Sequence, residues 1–487
     1  MKMQKTPLST IGFAAALLVL AVSAPVSAAS LQEAAELLGA AKTTSIEFNA
    51  TGKWFQFGQA PNPTQAWPQF DVNAYRALIN FDQPAARVQI SRLQTIVPER
   101  VRPQPVEQRV DQRVSSGVAW SLAPNGSVTA QLAAVEERLA EIWSTPQGFV
   151  KAALEHHGKS EAFGQNKVQV TFSVHGKYRY VGVINEQNQL ESVQTWIDSP
   201  VLGDTLFETK YSDYKDFGGV KFPAQITRNQ GGFPVLDLQV SSVSLNPALT
   251  FNAPVEAGKA DVLPPVNVVV NKLSEGVYYL TGGTHHSVAI EQKDHVILVE
   301  APLNEARSEA LIAKIKETIP GKPIKYLVNT HHHFDHSGGL RTFVDAGASI
   351  VTHQLDKAYY EKIWGQSHAL SPDQLSKSSK RPNFVSFTDK HVLSDGKRSV
   401  EVHTLAGSGH ADGFAFVYLP AEKILIEADA YTPLPANVSP PIPANPYSVN
   451  LYENIQRLNL NVERIAALHG PKVVTLDDLR AYIGIAK

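Results

Sequence analysis

The stretch Thr330-His331-His332-His333-Phe334-Asp335-His336-Ser337-Gly338-Gly339 constrains this chain more than any other. It contains the spacing His-x-His-x-Asp-His, in which His331, His333, Asp335 and His336 place four metal-capable side chains within six residues. Imidazole and carboxylate together suit zinc, and also iron or manganese. Ile324, Tyr326, Leu327 and Val328, behind Pro323, read as a strand running into the motif; Gly338-Gly339 opens onto a helix at Leu340 to Asp345, closed by Gly347. A loop between a strand and a helix can aim several short side chains at one point. Four such groups held together without a cation would be costly, because buried polar groups need partners.

The chain has 487 residues, 43% hydrophobic and 18% charged, which is enough for two or more domains with sizeable cores. A formal net charge of -2 gives no sign of a nucleic-acid or anionic-membrane partner, and no basic stripe is visible. There is no cysteine, so neither a disulfide nor a thiolate nucleophile or metal ligand is available. Lys2 and Lys5, the apolar run Ile11 to Ala21 and the small residues Val26-Ser27-Ala28 together read as a secretory signal peptide over residues 1–28. The mature chain is therefore expected to be periplasmic or secreted. No cysteine follows for lipid attachment, and no later segment is apolar enough to span a membrane.

Two regions of different character follow. Residues 29–253 alternate apolar and polar residues in long β-like stretches, among them Ser45 to Phe55, Tyr75 to Leu93, Val168 to Ile184, Gln189 to Ile197 and Leu236 to Val243. A helical block over Leu132 to His156, broken at Pro146, interrupts them. The pattern predicts an α+β domain, a curved antiparallel sheet around a helix. Its Tyr211-x-x-Tyr214-x-x-Phe217-Gly218-Gly219-Val220-Lys221-Phe222-Pro223 segment is similar to bacterial lipoprotein-carrier half-barrels. Residues 254–265, rich in proline, read as a linker. From 266 to 487 strands and helices alternate, and 13 of the 16 histidines lie in this part.

Three later residues stand where strands meet loops. His410 sits in the Gly-rich loop Gly407 to Gly413, Asp429 follows the apolar strand Ile424 to Ala428, and His469 follows Ile465 to Leu468, just before Gly470-Pro471. Together with the first motif, these residues make 266–487 resemble the metallo-β-lactamase-fold hydrolase superfamily. The resemblance implies a four-layer α/β/β/α sandwich with a metal site at one edge, an α/β architecture. It implies two divalent ions, zinc first with iron or manganese as alternatives. His331, His333 and His410 would hold one ion, Asp335, His336 and His469 the other, and Asp429 would bridge them. Zinc β-lactamases carry cysteine or serine at the Asp429 position, whereas aspartate is the pattern of the glyoxalase-II-like thioesterases, lactonases and phosphodiesterases.

The expected chemistry is attack by a metal-bridged hydroxide on an ester, thioester, lactone or amide, with Asp335 orienting the nucleophile. Two cations about 3.5–4 Å apart can lower the pKa of bound water to about 7. No protein nucleophile is needed, in keeping with the absence of cysteine. Phosphoester hydrolysis, a mononuclear-iron persulfide dioxygenase and an apolar-ligand binding protein are the alternatives. His285 and His286, after Gly282-Gly283-Thr284, and Tyr431, after the bridging aspartate, are candidate contacts to a small-molecule substrate.

Overall fold

The computed structural model describes Met1 and residues 29–248, 266–470 and 472–485. The expected signal peptide and the proline-rich linker lie outside the described residues. Among those residues, no helix is long and apolar enough to cross a membrane.

The first region is built on one thirteen-stranded antiparallel sheet. Neighbours in sequence pair as hairpins. The first strand, Ser45–Phe55, also pairs with the last, Phe233–Leu245, which leaves Val128–Ala130 and Lys159–Phe163 at the two edges. Two stretches that alternate without interruption in sequence are each split by a turn. Tyr75 to Leu93 spans two strands, Gln69–Asn80 and Ala85–Gln94, because the Asn80 side chain accepts from the Gln83 amide and Pro84 follows. Val168 to Ile184 turns at His175 and Gly176, both at positive φ, the conformation that a two-residue hairpin requires. The edge strands are connected through two helices, Val135–Trp143 and Pro146–Glu155. Thr145 caps the second by accepting from the Gly148 amide, and Pro146 occupies its first turn, where its missing N–H costs nothing. Ile142, Phe149, Val150 and Ala153 from these helices are buried against Phe48, Ile79, Val170, Leu190 and Phe222 of the sheet. Arg228, buried at 9% exposure, pairs with Glu141 at 2.5 Å and so ties sheet to helix.

The second region has two sheets. One has seven strands in sequence order from Val269–Ser274 to Phe384–Phe387, antiparallel until Val296–Val299 and parallel after it. The other has six strands, from Lys390–Ser394 to Val474–Thr475. Val288, Ile290, Ile297, Val299, Val328 and Val351 of the first share a buried cluster with Val400, Val402, Val417, Ile424 and Ile426 of the second. The alternate residues of the first sheet, Leu280, Ala289, Leu298, Leu327 and Ile350, pack on Leu311 and Ile315 of helix Glu305–Thr318 and on Leu340, Phe343 and Tyr360. Leu451 and Ile455 of helix Pro446–Arg457 and Leu479 of Leu476–Tyr482 join the core on the side of the second sheet. Helix, sheet, sheet and helix thus stack as four layers, behind a β-rich first region.

Packing inside the first region leaves no slack at Gly182. A Cβ there would lie 2.2 Å from the Phe149 ring. Gly182→Ala should therefore destabilise the chain by about 1–3 kcal/mol in denaturant unfolding, as overpacking does, and Phe149→Leu in the same chain should recover part of the loss. Wild-type stability in Gly182→Ala would contradict this packing.

Candidate metal centre

The strands of both sheets end at one edge, and the polar residues gather there. His331 and His333 follow strand Ile324–Val328, and Asp335 and His336 lie in the short helix Phe334–Ser337 that comes next. His410 is in the loop between Ser399–Thr404 and Ala415–Leu419. Asp429 follows Ile424–Glu427, and His469 follows Arg464–Ala467. The Ala415 amide donates to the Thr330 carbonyl at 2.8 Å, locking the two sheets together beside the motif.

Two clusters result. His331, His333, His410 and Asp429 form one; Asp335, His336, His469 and His285 form the other; in each, one donor atom per residue lies within 4.8 Å of the rest. Asp429 stands between them. Its Oδ2 is 2.9 Å from His410 Nε2 and 3.5 Å from His331 Nε2, while its Oδ1 is 3.1 Å from His336 Nε2 and 3.0 Å from His469 Nε2. Asp335 Oδ2 lies 3.6 Å from both His336 Nε2 and His469 Nε2.

The residues around the clusters decide where the ring protons sit. His336 Nδ1 donates to Glu300 Oε2 at 3.1 Å, which turns Nε2 inward. Thr330 donates its hydroxyl proton to the same Glu300 oxygen and so accepts from His331 Nδ1 at 3.0 Å, turning His331 Nε2 inward as well. His333 Nε2 lies 2.9 Å from the Ala60 carbonyl, which can only accept, and His333 Nδ1 is buried without a hydrogen-bond partner. Ring nitrogens therefore converge: His331 Nε2 and His410 Nε2 are 3.3 Å apart, and His336 Nε2 and His469 Nε2 are 3.0 Å apart. Facing ring nitrogens and an orphaned one beside two carboxylates fit a pair of divalent cations, which they would bind through nitrogen and oxygen.

Burial and the two carboxylates set the electrostatics of these groups. Burial, reinforced by His336, holds His331 well below its ordinary value; burial and the neighbouring His331 and His410 do the same to His333. Burial works against Asp335 and Asp429, yet His336 and hydrogen bonds from the surrounding imidazoles keep both carboxyls well below their usual range. His336 is also opposed by burial, but Asp429, Asp335 and Glu300 raise it well above the ordinary imidazole value. His469, opposed by burial, is lifted to about 9 by Asp335 and Asp429. Beneath Asp429, burial holds the fully enclosed Glu427 carboxyl well above the carboxylate range, and this group accepts from the Tyr431 amide.

The three candidate substrate contacts separate. His285 is brought to the second cluster, its Nε2 3.2 Å from Asp335 Oδ2 and its ring centre 4.0 Å from that of His469. His286 is not: it is buried, its Nε2 donates to the Gly470 carbonyl at 2.6 Å, and its ring abuts Tyr279. Tyr431 is turned into the core against Tyr482, with 3% of its surface exposed, because the chain bends over Glu427 after the strand. Sequence reasoning missed Glu300, which has no spacing relation to the motif, and the contribution of residues 58–62. His332, inside the motif, points away, its Nε2 on the Ala60 carbonyl and its Nδ1 3.1 Å from Asp356.

Residues 280–465 match the profile of the metallo-beta-lactamase superfamily. The 2,4-dinitroanisole O-demethylase subunit alpha of Nocardioides sp. (strain JS1661) is 25% identical over 153 residues, covering 31% of this chain and 43% of that protein. The chain thus spans less than half the length of this curated relative. Among solved structures, a metallo-beta-lactamase from Pontibacter korlensis is 21% identical over 45% of this chain and 98% of its own, with a TM-score of 0.35. Rubredoxin oxygen:oxidoreductase from Desulfovibrio gigas is 18% identical over 44% of this chain and 61% of its own, also at a TM-score of 0.35. Residues 280–465 thus form a metallo-beta-lactamase superfamily domain, which implies divalent-metal binding.

Glu300 gives the first test of the centre. Glu300→Gln keeps the volume but loses the charge that holds His336 and Thr330. Chelator competition should show divalent-cation affinity lower by about 10–100-fold, the usual loss when an outer-shell partner of a ligand is removed. An unchanged affinity would contradict the role given to Glu300.

Proposed function

We propose that this chain is a metal-dependent hydrolase that cleaves an ester, thioester, lactone or amide. The observation that carries the reading is Asp429 between the clusters, one carboxylate oxygen directed to each. His331, His333 and His410 would hold one ion, Asp335, His336 and His469 the other, and Asp429 both. Bound there, the cations would supply Lewis acidity and acidify water to a pKa of about 7.

The protein's own groups divide the remaining work. The side chains of His331 and His336 are fully enclosed, whereas those of Asp335 and His469 are 29% and 22% exposed, so substrate reaches the centre from the Asp335 side. Asp335 Oδ2, directed toward His285, His336 and His469, can accept a hydrogen bond from an attacking water, fixing its direction. His285 Nε2 lies next to it and can hydrogen-bond the oxygen of the scissile group. The carboxyl oxygens of Asp429 and the fixed ring orientations of His331, His333 and His336 keep the donor set in place without reorganisation.

Two further parts of the reading rest on sequence alone. Residues 1–28 would direct export and be removed, and the chain would divide near 254–265 into a β-rich unit and the metallo-beta-lactamase-fold unit. The name of the Nocardioides relative adds a methyl aryl ether to the substrates that should be tried.

Purified chain should contain two divalent cations, and a chelator should abolish hydrolysis across a panel of thioesters, lactones, esters and β-lactams, with zinc or manganese restoring it. Asp335→Ala should lower kcat by about 10²–10⁴-fold, the scale of a lost general-base contribution. His403→Gln, on a strand away from the centre and paired with Glu401, should leave kcat unchanged. Hydrolysis that survives complete cation removal would overturn the proposal.

A further inference from the structure

Five consecutive residues of the first region lie across the motif of the second. The Gly58 carbonyl accepts from the Phe334 amide at 3.2 Å, and Gln59 Nε2 donates to Asp335 Oδ1 at 2.8 Å. The Ala60 carbonyl accepts from both His332 Nε2 at 2.8 Å and His333 Nε2 at 2.9 Å. The Pro61 carbonyl accepts from the Asp412 amide at 2.8 Å, and Asn62 Nδ2 donates to Asp412 Oδ2 at 3.0 Å. A segment some 270 residues away in sequence therefore bonds to four successive residues of the His-x-His-x-Asp-His motif and to the loop that carries His410.

The segment is itself fixed. Phe57 and Trp67 meet the Phe334 ring edge-on, at 5.2 and 5.7 Å between centres. Gly58 has φ +79°, and a Cβ there would lie 2.7 Å from the Phe334 ring, so only glycine lets the backbone come this close. Arg100, from the same region, pairs with Asp412 at 2.8 Å and holds the far end.

We propose that residues 58–62 form a positioning strap that completes the metal centre: the Ala60 carbonyl fixes the His333 tautomer, and the Gln59 amide fixes the rotation of Asp335. The inference rests on the hydrolase reading above and extends it, because it makes the first region part of both cation sites. The physical case is direct. A backbone carbonyl accepts only, so the His333 proton must sit on Nε2, and Nδ1, buried and without a partner, is the atom left to ligate. Asp335 has one oxygen on Gln59 and the other toward His285, His336 and His469. Losing the Gln59 bond frees the carboxylate to rotate away from the second cluster. Gln59 and Ala60 act through ligands, so both are positioning residues.

The test uses the full chain loaded with zinc or cobalt(II). Gln59→Leu removes the donor at similar volume; Gly58→Ala lifts the strap from Phe334 and moves the Ala60 carbonyl. For Gln59→Leu we expect one of the two cations to bind about 10–100-fold more weakly in chelator competition. The ligand-field spectrum of the cobalt-loaded chain should change while circular dichroism does not. Gly58→Ala should weaken both cations. If it fails to fold, Gln59→Leu alone decides. Wild-type affinities and a wild-type cobalt spectrum in Gln59→Leu would overturn the strap while leaving the hydrolase reading intact. A wild-type chain that binds no cation would overturn that reading and the strap with it.

Discussion

The carboxylate of Asp429 is the interaction on which the rest of the centre depends. Its two oxygens lie 2.9 to 3.5 Å from imidazole nitrogens of four histidines, which come from three separate chain segments. Such a group needs strong compensation when enclosed, since an isolated buried charge is very costly. The surroundings give it that compensation: His336 and His469, both raised by the carboxylates, and hydrogen bonds from the neighbouring imidazoles offset its charge, while Thr330, Ala60 and Glu300 hold the outward ring nitrogens of His331, His333 and His336. The four-layer stack serves this arrangement by bringing the ends of two sheets to one edge, where five chain segments present donors.

The cost of holding these outward partners is met in the surrounding packing. Glu300 is fully enclosed at positive φ and is satisfied by Thr330, Asn329 and His336 together. Asn329 in turn accepts from the Tyr360 hydroxyl and the Thr352 hydroxyl, which links the centre to the helix layer. A polar network of this kind is worthwhile only when every member is satisfied. It also means that changes far from the substrate, in strand ends or in the segment around Gly58, reach the donor atoms through a few bonds.

Much of the site was legible in the sequence because its strongest signal is local. His331, His333, Asp335 and His336 fall within six residues, and His410, Asp429 and His469 each end a recognisable strand. What was illegible is what depends on long-range contact or side-chain direction. Glu300 is one acidic residue at a strand end among many, and only the fold brings it under His336. Gln59 and Ala60 carry no chemical signature, and a backbone carbonyl leaves none in a sequence. Tyr431, two residues after Asp429, points into the core because the chain turns over Glu427, while His285 and His286, adjacent in sequence, face opposite ways. In the fold, the alternation that marked the first region as β-rich was sound, but it could not show where His175-Gly176 or Asn80 would turn the chain.

The central claim is that the two clusters hold two cations that share Asp429. Anomalous X-ray diffraction from crystals of the metal-loaded chain tests it most directly. The account predicts two anomalous peaks about 3.5–4 Å apart, one within coordinating distance of His331 Nε2, His333 Nδ1 and His410 Nε2, the other of Asp335, His336 and His469, with Asp429 touching both. A single peak, or two peaks of which neither meets Asp429, would contradict it.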